Sequence, residues 1–377
     1  MERIKSKENL KFSLVVIFVT LCLVAFGCVM IYSASMYSAN YHFGNPTFFL
    51  SKQLLGVVLG LALMIGFSFV DYHIFKKFKW WVVIVTAVLL VLVFIPGIGV
   101  ESYGARRWLN LFGFSIQPSE IAKFAIVLFC ASYLSDHYQD IKNFKALLPI
   151  CLVTGGLCLL VILEPSMSVT MCLFLTTFFM LVIGGISKKH TIAFSIPASF
   201  AVPALIIAEP YRLKRLFAFI NPWASPQGEG FQLIQSLYSL GSGGWFGVGL
   251  FSSRQKYLFL PFAESDFIFS IIGEELGFVG CIFVMLAYLT LIIALSKIAL
   301  NAKDRFGSLL AGGVAIVIAV QTLLNIAVVS GSIPPTGLPL PFISSGGTSV
   351  MMFMAGIGVA LNVSRQSRKP LDHSDRS

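Results

Sequence analysis

Charged residues are scarce in this chain of 377 residues: they make up 12%, whereas hydrophobic residues make up 57%. A soluble domain carries about 25% charged residues. Apolar runs of about 18 or more residues recur along the chain, as in proteins that span a membrane several times. The alternation of polar and apolar residues that marks a membrane β-barrel is missing. The sequence therefore predicts a polytopic membrane protein of the all-α class.

Cysteine and histidine provide no pattern of a metal site or a disulfide framework. The 7 cysteines all lie in apolar runs without a C-x-x-C motif, and the 5 histidines are scattered. Cysteines in such runs usually serve as small packing residues. We therefore predict neither a structural disulfide nor a metal site.

We predict ten spans in a single membrane domain, residues 12–363, between an N-terminal tail (1–11) and a C-terminal tail (364–377). The predicted spans are 12–33, 49–69, 80–97, 119–135, 147–163, 167–185, 190–208, 266–296, 308–330 and 346–363. The first span is long and lacks a small-residue cleavage site, so we interpret it as retained rather than as a removed signal peptide.

The distribution of lysine and arginine predicts the orientation. If both termini lie inside, 18 of the 27 Lys and Arg residues also lie inside, as cytoplasmic loops usually require. We therefore expect cytoplasmic termini, and the spread of charge over loops does not indicate a nucleic-acid partner. The same orientation places a large extracellular loop (209–265) between spans 7 and 8. Its stretch "FQLIQSLYSLGSGGWFGVGLF" has apolar residues at helical spacing, which predicts an interfacial helix.

Two shorter outer segments are polar or irregular. In "GARRWLNLFGFSIQPSEIAKFA" (104–125), Arg106 lies at the predicted membrane surface. Glu120 and Lys123 lie one turn apart just inside the fourth span, either as a structural ion pair or facing a cavity, and the sequence leaves both open. The segment "GSIPPTGLPLPFISSGGTS" (331–349) has too many prolines and glycines to continue a helix. Irregular backbone near lipid needs protein cover or a wet cavity, so we expect this segment to form part of a cavity wall.

Four of the 17 acidic residues lie in "LPFAESDFIFSIIGEELG" (260–277): Glu264, Asp266, Glu274 and Glu275. If the eighth span begins near Asp266, this residue lies at its outer mouth, where it can be ionised and face basic residues. Glu274 and Glu275 lie about 12–14 Å deeper at about 1.5 Å per residue. We predict that both are structural and hydrogen-bonded to neighbouring helices or to the 331–349 segment, with only Glu274 near the face of Asp266. We interpret Glu264 as solvated loop surface.

An acid beside arginines and lysines at an outer membrane surface is suited to group transfer from a lipid-linked diphosphate. Cations can hold a pyrophosphate leaving group, and a carboxylate can take the proton of an attacking hydroxyl. The same residues are equally consistent with a transporter that binds an anionic substrate. The residues alone do not choose between these functions.

Several longer motifs occur in order along the chain. They are "GCVMIYSAS" (27–35), "ARRWLNLFGFSIQPSEIAK" (105–123), "YRLKRLFAFINPW" (211–223), "GEGFQLIQSLYSLGSGGWFGVGL" (228–250), "SRQKYLFLP" (253–261), "DFIFSIIGEELG" (266–277) and "NIAVVSGSIPPTGLPLPFISSGGTS" (325–349). With these motifs, residues 12–366 resemble the FtsW/RodA/SpoVE family, the SEDS proteins of bacterial cell-wall synthesis, and look most like its FtsW/SpoVE branch. The resemblance implies a peptidoglycan glycosyltransferase that polymerises lipid II into β-1,4 glycan strands on the outer membrane face and releases undecaprenyl pyrophosphate.

The resemblance also implies residue roles. Asp266 matches the family's essential catalytic aspartate, which we expect to act as general base in an inverting displacement. The candidate substrate-binding residues are Arg106, Arg212, Arg215 and Lys256, toward the diphosphate, with Glu120, Lys123 and Ser345; the supporting residues are Glu274, Glu275 and Gln117. The resemblance implies no certain cofactor and leaves open a divalent cation, Mg²⁺ or Mn²⁺.

Members of this family work with a class B penicillin-binding protein that crosslinks the strands, so the resemblance implies such a partner and further division or sporulation proteins. Two motifs depart from the family. Here "PFAESD" (261–266) stands where PEAHTD or PEPQTD is common, and "EPSMSVT" (164–170) stands where QPDLGT or EPDFGT is common. The alternatives are a lipid II flippase and a non-catalytic scaffold or activator of the penicillin-binding protein. Because polar residues collect at the outer face, the pattern favours surface chemistry over a flippase.

Overall fold

The computed structural model describes residues 2–102, 105–111, 114–141, 144–335 and 337–368. The first elements are α1 (Glu2–Phe43), α2 (Phe48–Phe69), α3 (Tyr72–Lys77), α4 (Lys79–Leu92), β1 (Gly99–Ser102), β2 (Ala105–Leu111), β3 (Phe114–Ile116), α5 (Pro118–Asp136), α6 (Phe144–Leu163) and α7 (Met167–Gly184). There follow α8 (Lys188–Ile207), α9 (Pro210–Ile220), a 3-10 turn (Pro222–Ala224), α10 (Phe231–Ser242), α11 (Ile268–Leu300), α12 (Arg305–Val329) and α13 (Gly347–Gln366).

Most of the long helices are suited to a membrane. Among the described residues, 8 helices are long and apolar enough to cross one, namely α1, α2, α5, α6, α7, α11, α12 and α13. α4 is apolar but shorter, and α8 is 20 residues long with two lysines at its start. The predicted multi-pass membrane protein is therefore confirmed at the level of a bundle of apolar helices.

Some helix bounds differ from the predicted spans. α1 continues beyond both ends of the predicted 12–33 span, because a helix does not stop where its apolar part stops. α4 ends at Leu92 rather than near residue 97, where Pro96 and Gly97 follow and cannot continue a helix. α11 begins at Ile268, so Asp266 lies in the turn before the helix rather than on it.

A small antiparallel sheet follows α4, which the all-α prediction did not include although the fold is mostly helical. Its strand order is β1-β2-β3, with Val100 opposite Trp108 and Leu109 opposite Ile116. Along β2 the side chains alternate between the two faces, as in any strand. Adjacent arginines in this strand therefore lie on opposite faces, which decides which of them reaches the site described below.

The helices place the outer segments around α11. α11 packs against α1, α10 and α12, whereas α2 packs along α13 and α5 packs against α4, α7 and α12. The segment 208–267 between α8 and α11 carries α9 and α10. The predicted helix in this segment is present as α10, and its residues Leu233 and Ile234 are buried. The start of α11 is thus enclosed by protein on several sides.

Candidate functional site

Asp266 lies in the turn that leads into α11 and is partly exposed. Its backbone carbonyl accepts a hydrogen bond from Asn325 Nδ2 of α12 at 2.9 Å. The same amide nitrogen donates to the carbonyl of Leu338 at 2.7 Å. One side chain of α12 thereby fixes both the turn that carries Asp266 and the segment that follows α12.

The segment 331–346 forms a wall beside Asp266. Gly337 has a φ of +70°, and a Cβ atom at this position would lie 2.9 Å from Asp266 Oδ2. Ser344 Oγ donates to the Ser265 carbonyl, and the backbone N–H of Ser345 donates to the Glu264 carbonyl at 2.9 Å. The apolar residues of this segment are buried: Leu338, Leu340, Phe342 and Ile343. The segment is therefore packed against the Asp266 turn and is not an exposed loop.

The charges around Asp266 act on its carboxyl in opposite directions. Burial, and then the negative charge of Glu264, raise the pKa of Asp266 to about 6, while the positive charges of Arg107 and Arg215 lower it. Glu264 is itself half-buried, and burial raises the pKa of its carboxyl. The interpretation of Glu264 as solvated surface was therefore wrong, because the 331–346 segment covers its turn.

The guanidinium that acts on Asp266 from the sheet belongs to Arg107 and not to Arg106. Arg107 Nε donates to the carbonyl of Glu164 at 3.0 Å, and Nη2 donates to the carbonyl of Pro165 at 2.6 Å. The charges of Asp266 and Arg215 act on this guanidinium, whose pKa is lowered chiefly by burial. Arg106 lies on the other face of β2. The sequence could have indicated Arg107 only if residues 105–111 had been recognised as a strand.

Glu164 is a buried acid that the sequence analysis did not select. Its side chain is 0% exposed, and neither carboxyl oxygen has a hydrogen-bond partner among the described residues. Burial raises the pKa of Glu164 to about 8, although the charge of Arg107 opposes this effect. Glu164 is the first residue of the unusual "EPSMSVT" motif, which was the available signal.

The remaining arginine candidates lie in or near α9. Arg215 Nε lies 3.5 Å from Glu229 Oε2, and both side chains are nearly half exposed. Arg212 is 9% exposed, and its Nε donates to the hydroxyl of Tyr211 at 3.0 Å. Of these two, Arg215 is the one whose charge acts on Asp266.

Lys256 forms a buried ion pair and is not available to bind a diphosphate. Its side chain is 0% exposed, and Nζ lies 3.3 Å from Glu275 Oε1. Nζ also donates to the carbonyl of Phe251. A buried ammonium with these partners cannot bind a substrate without breaking its own ion pair. We therefore remove Lys256 from the candidate substrate-binding residues.

Glu274 and Glu275 hold the "SRQK" stretch (253–256). Glu274 accepts hydrogen bonds from Ser253 Oγ at 2.5 Å and from the backbone N–H of Arg254 at 2.9 Å. Glu275 accepts one from Ser33 Oγ of α1 at 2.7 Å. Both glutamates therefore have the structural contacts expected of them. Their partners lie in α1 and the large outer loop, and the argument that placed Glu274 on the face of Asp266 fails because Asp266 precedes the helix.

The glycine-rich stretch before Ser253 fits into a break in α11. Gly277 has a φ of 68° and a ψ of −167° inside this helix. Four backbone hydrogen bonds join the two segments: Val248 N to Glu274 O, Gly249 N to Glu275 O, Phe278 N to Gly244 O and Val279 N to Trp245 O. The outer loop thereby satisfies polar groups that the break would otherwise leave unpaired in an apolar region.

Glu120 and Lys123 form a buried ion pair, 2.6 Å between Nζ and Oε1, with side chains 1% and 0% exposed. Lys123 also donates to Gln321 Oε1 at 2.5 Å, and Gln321 Nε2 donates to the carbonyl of Pro339 at 2.7 Å. This chain of contacts joins α5 to α12 and to the wall segment. Of the two interpretations that the sequence leaves open, a structural ion pair or side chains facing a cavity, the structure thus favours the structural ion pair.

Gln117 and Ser345 contribute backbone contacts. The N–H of Gln117 donates to Thr348 Oγ1 at 3.2 Å, and this hydroxyl donates to the carbonyl of Ser115 at 3.0 Å. These bonds tie the sheet and α5 to the start of α13. Together with the Ser345–Glu264 bond, they align the sheet, the wall segment and the Asp266 turn.

The order of these segments is matched by a known family. The family model described as FtsW/RodA/SpoVE cell cycle protein matches residues 13–369. The chain belongs to the FtsW/RodA/SpoVE family. The family predicted from the motifs is thereby confirmed.

The relatives include a SpoVE protein and an FtsW protein, as expected for the FtsW/SpoVE branch that the motifs resemble. The chain is 39% identical over 356 residues to stage V sporulation protein E of Bacillus subtilis (strain 168), which covers 94% of this chain and 97% of that protein. It is also 39% identical over 356 residues to the probable peptidoglycan glycosyltransferase FtsW of Trichlorobacter lovleyi, with 94% and 93% covered.

Solved structures of the family share the fold. A chain from a peptidoglycan synthase complex, described in terms of coordinated polymerization and crosslinking, superposes with a TM-score of 0.76 at 27% identity and covers 94% of this chain and 98% of that chain. The rod shape determining protein RodA of Thermus thermophilus superposes with a TM-score of 0.69 at 25% identity, with 94% and 97% covered.

Proposed function

We propose that this FtsW/RodA/SpoVE protein is an inverting peptidoglycan glycosyltransferase that polymerises lipid II during division or sporulation. Relatives named for this activity and for sporulation align with nearly the whole chain. The observation that carries the proposal is the carboxylate of Asp266, which is partly exposed, lies beside Gly337 and experiences the charges of Arg107 and Arg215. An accessible acid between cations is the arrangement that the reaction requires.

Asp266 acts in this proposal as the general base. With a pKa of about 6, its carboxyl is mostly ionised at neutral pH and is a stronger base than an exposed aspartate. It takes the proton from the 4-hydroxyl of the acceptor N-acetylglucosamine as that oxygen attacks C1 of the donor N-acetylmuramic acid. The bond from C1 to undecaprenyl pyrophosphate breaks, and the α-linked donor gives a β-1,4 product.

Guanidinium groups balance the charge of the leaving diphosphate. Arg107 and Arg215 are the first candidates because their charges already act on the Asp266 carboxyl. Arg212 and Arg106 remain candidates on the same outer segments, and Ser345, whose N–H donates to the Glu264 carbonyl, lies next to the Asp266 turn. A divalent cation, Mg²⁺ or Mn²⁺, is the alternative source of positive charge, and adding a chelator to the assay below tests it.

The proposed topology places this chemistry on the outer face of the cytoplasmic membrane. Counting α8 and the pair α3–α4 with the eight apolar helices of the described chain gives ten spans. The lysine and arginine distribution then favours cytoplasmic termini. This orientation puts Asp266, the sheet and the 208–267 segment outside, where lipid II is polymerised.

The proposed protein partner is a class B penicillin-binding protein, together with division or sporulation proteins. Support comes from the similar chain in a peptidoglycan synthase complex concerned with both polymerization and crosslinking. Crosslinking is not a reaction that Asp266 and arginines would catalyse, so a second protein supplies it.

The test uses the purified full chain with lipid II, with and without its penicillin-binding protein, and reads glycan chain length on a gel. The parent and the exposed-acid control Glu209→Gln are expected to form polymer, and Asp266→Ala is expected to form none. If Asp266→Ala polymerises like the parent, Asp266 is not the base. If the parent makes no polymer, yet Asp266→Ala binds the partner and supports growth, the scaffold function replaces the proposed one. Transfer of lipid II across vesicles without polymer formation would indicate a flippase.

A further inference from the structure

A small cavity lined by two arginines lies at the other end of the helices from Asp266. Its volume is about 160 Å³, and Arg365 and Arg368 line it together with Ser13 of α1 and Ser68 and Phe69 of α2. α13 begins beside the Asp266 turn and is 20 residues long, which corresponds to about 30 Å of helix. The cavity therefore lies where α1 begins and where α2 and α13 end.

The two arginines bring positive charge into this cavity without an acidic partner. Arg365 Nη2 donates to the carbonyl of Phe69 at 3.0 Å, and Arg368 Nη2 donates to Ser13 Oγ at 2.8 Å. The Nε atoms of both are buried and have no hydrogen-bond partner in the described part of the chain. Within that part, neither guanidinium forms an ion pair with Asp or Glu.

Asp71, which follows the end of α2, already has other partners. Asp71 accepts a hydrogen bond from Gln366 Nε2 at 2.8 Å and pairs with His73 Nδ1 at 2.8 Å. Burial, and then the charge of Arg365, lower the pKa of Arg368. Two like charges that are partly removed from water destabilise each other, so a bound anion would stabilise this end of the fold.

A purely structural role accounts for only part of the arrangement. Arg365 caps the C-terminal end of α2 through the Phe69 carbonyl, and its guanidinium carbon lies 4.8 Å from the Phe69 ring centroid. Capping of this kind is common for arginine. It uses one nitrogen and leaves the buried Nε donors of both arginines without an acceptor, which an anion between them would supply.

We propose that this cavity binds the phosphate group of an anionic membrane lipid. Its walls include the apolar residues Ile17 and Leu361 as well as the arginines and serines. Leu14, one helical turn from Ile17, is 58% exposed and offers a surface for an acyl chain. Basic pockets between spanning helices are a known mode of recognising lipid headgroups. The proposal does not depend on Asp266 or on the polymerase activity.

The test measures the thermal shift of the purified full chain in detergent on addition of three probes: phosphatidylglycerol, phosphatidylcholine and inorganic phosphate. A ligand that binds only the folded state raises the midpoint of unfolding. Phosphatidylglycerol is expected to raise it by several degrees and the other probes by much less. Arg365→Gln/Arg368→Gln is expected to bind phosphatidylglycerol about tenfold more weakly, because charge-assisted hydrogen bonds are lost.

The control Lys145→Gln/Lys189→Gln removes two exposed positive charges from the same side of the protein and is expected to keep the parent shift. Arg368→Gln alone spares the cap on α2 and still gives a reading if the double variant folds poorly. Equal phosphatidylglycerol shifts in the parent and both arginine variants would overturn the proposal. A phosphate shift as large as the lipid shift would reassign the site to free phosphate, and an equal phosphatidylcholine shift would exclude charge recognition.

Discussion

At Asp266, burial and the charge of Glu264 act against the charges of two arginines. Burial and Glu264 raise the pKa of this carboxyl to about 6, and two arginines prevent a larger rise. The family commonly has histidine or glutamine where this chain has Glu264. The acidic replacement therefore makes Asp266 a stronger base, so the unusual "PFAESD" motif is compatible with catalysis.

Arg107 is predicted to contribute more than Arg106 to the rate of lipid II polymerisation. Arg107→Gln should lower the rate of lipid II polymerisation about a hundredfold, because removing one well-placed donor to a developing negative charge commonly costs that much. Arg106→Gln, on the opposite face of β2, should cost less. Since Arg107 also lowers the pKa of Asp266, the acid limb of the pH–rate profile should move to higher pH in Arg107→Gln. Equal losses of rate in the two variants, together with an unchanged acid limb in Arg107→Gln, would contradict the role assigned to Arg107.

Ionisation of the buried Glu164 carboxyl is predicted to lower the stability of the folded protein at alkaline pH. Burial raises its pKa from 4.5 to about 8, so the folded state binds a proton that the unfolded state releases. Stability should therefore fall as the pH rises from about 4.5 to about 8. Glu164→Gln removes this titration, and its unfolding midpoint should exceed that of the parent by several degrees at about pH 8 but not near pH 5. A difference independent of pH would show that Glu164 is ionised when folded.

At the scale of single residues, the sequence did not reveal which groups each charged side chain contacts. Asp266 was identifiable because an acid beside an apolar run and a family motif both mark it. Lys256 and Arg106 were chosen by charge and position alone. Their partners, Glu275 for Lys256 and the opposite strand face for Arg106, depend on contacts between distant segments, and no local pattern contains them.

At the scale of elements, α11 owes its shape to the outer loop. A helix broken at Gly277 leaves backbone groups unpaired, and the 243–249 stretch pairs with them. Glu274 and Glu275 then fasten residues 253–256 to the same helix. The sequence patterns "GSGGWFGVG" (241–249) and "GEELG" (273–277) therefore pair with each other in the folded protein. We call this paired region the joint, and it positions the turn that carries Asp266.

Gly277→Ala is predicted to disrupt this joint. A Cβ at this position would lie 2.4 Å from the backbone nitrogen of Gly247, and the φ of +68° disfavours any other residue. The combined strain should destabilise the protein by about 3 kcal/mol or more, measured as lost monodisperse protein or a lower unfolding midpoint. Gly241→Ala is the control, because a Cβ there meets nothing within 4 Å. Parent-like stability of Gly277→Ala would contradict the claim that this joint requires glycine at position 277.

Hydropathy predicted the spanning helices well and the outer elements poorly. Eight predicted spans correspond to long apolar helices, because burial in lipid imposes a composition that one segment shows by itself. The three-stranded sheet at 99–116 was missed. Its strands are 3 to 7 residues long. They are held by pairing and by the Arg107 hydrogen bonds to the turn between α6 and α7, which no single short window reveals.

Across the whole molecule, the two polar ends have different roles. The Asp266 end gathers an acid, arginines and irregular backbone held by α12 and α13, which suits chemistry on a lipid-linked diphosphate. The opposite end gathers Arg365 and Arg368 in a small cavity between α1, α2 and α13. Although α13 runs between the two sites, different residues and different charges build each of them, so each can be altered without the other.

The most direct test of the central claim is the initial rate of lipid II polymerisation between about pH 5 and about pH 9, in the parent and in Asp266→Asn, each with the penicillin-binding protein present. A general base works only when ionised. The account predicts a parent rate that rises through an apparent pKa near 6 and then levels, and no measurable rate in Asp266→Asn. A parent rate that does not change over this range, or a parent-like rate in Asp266→Asn, would contradict the assignment of Asp266 as the base.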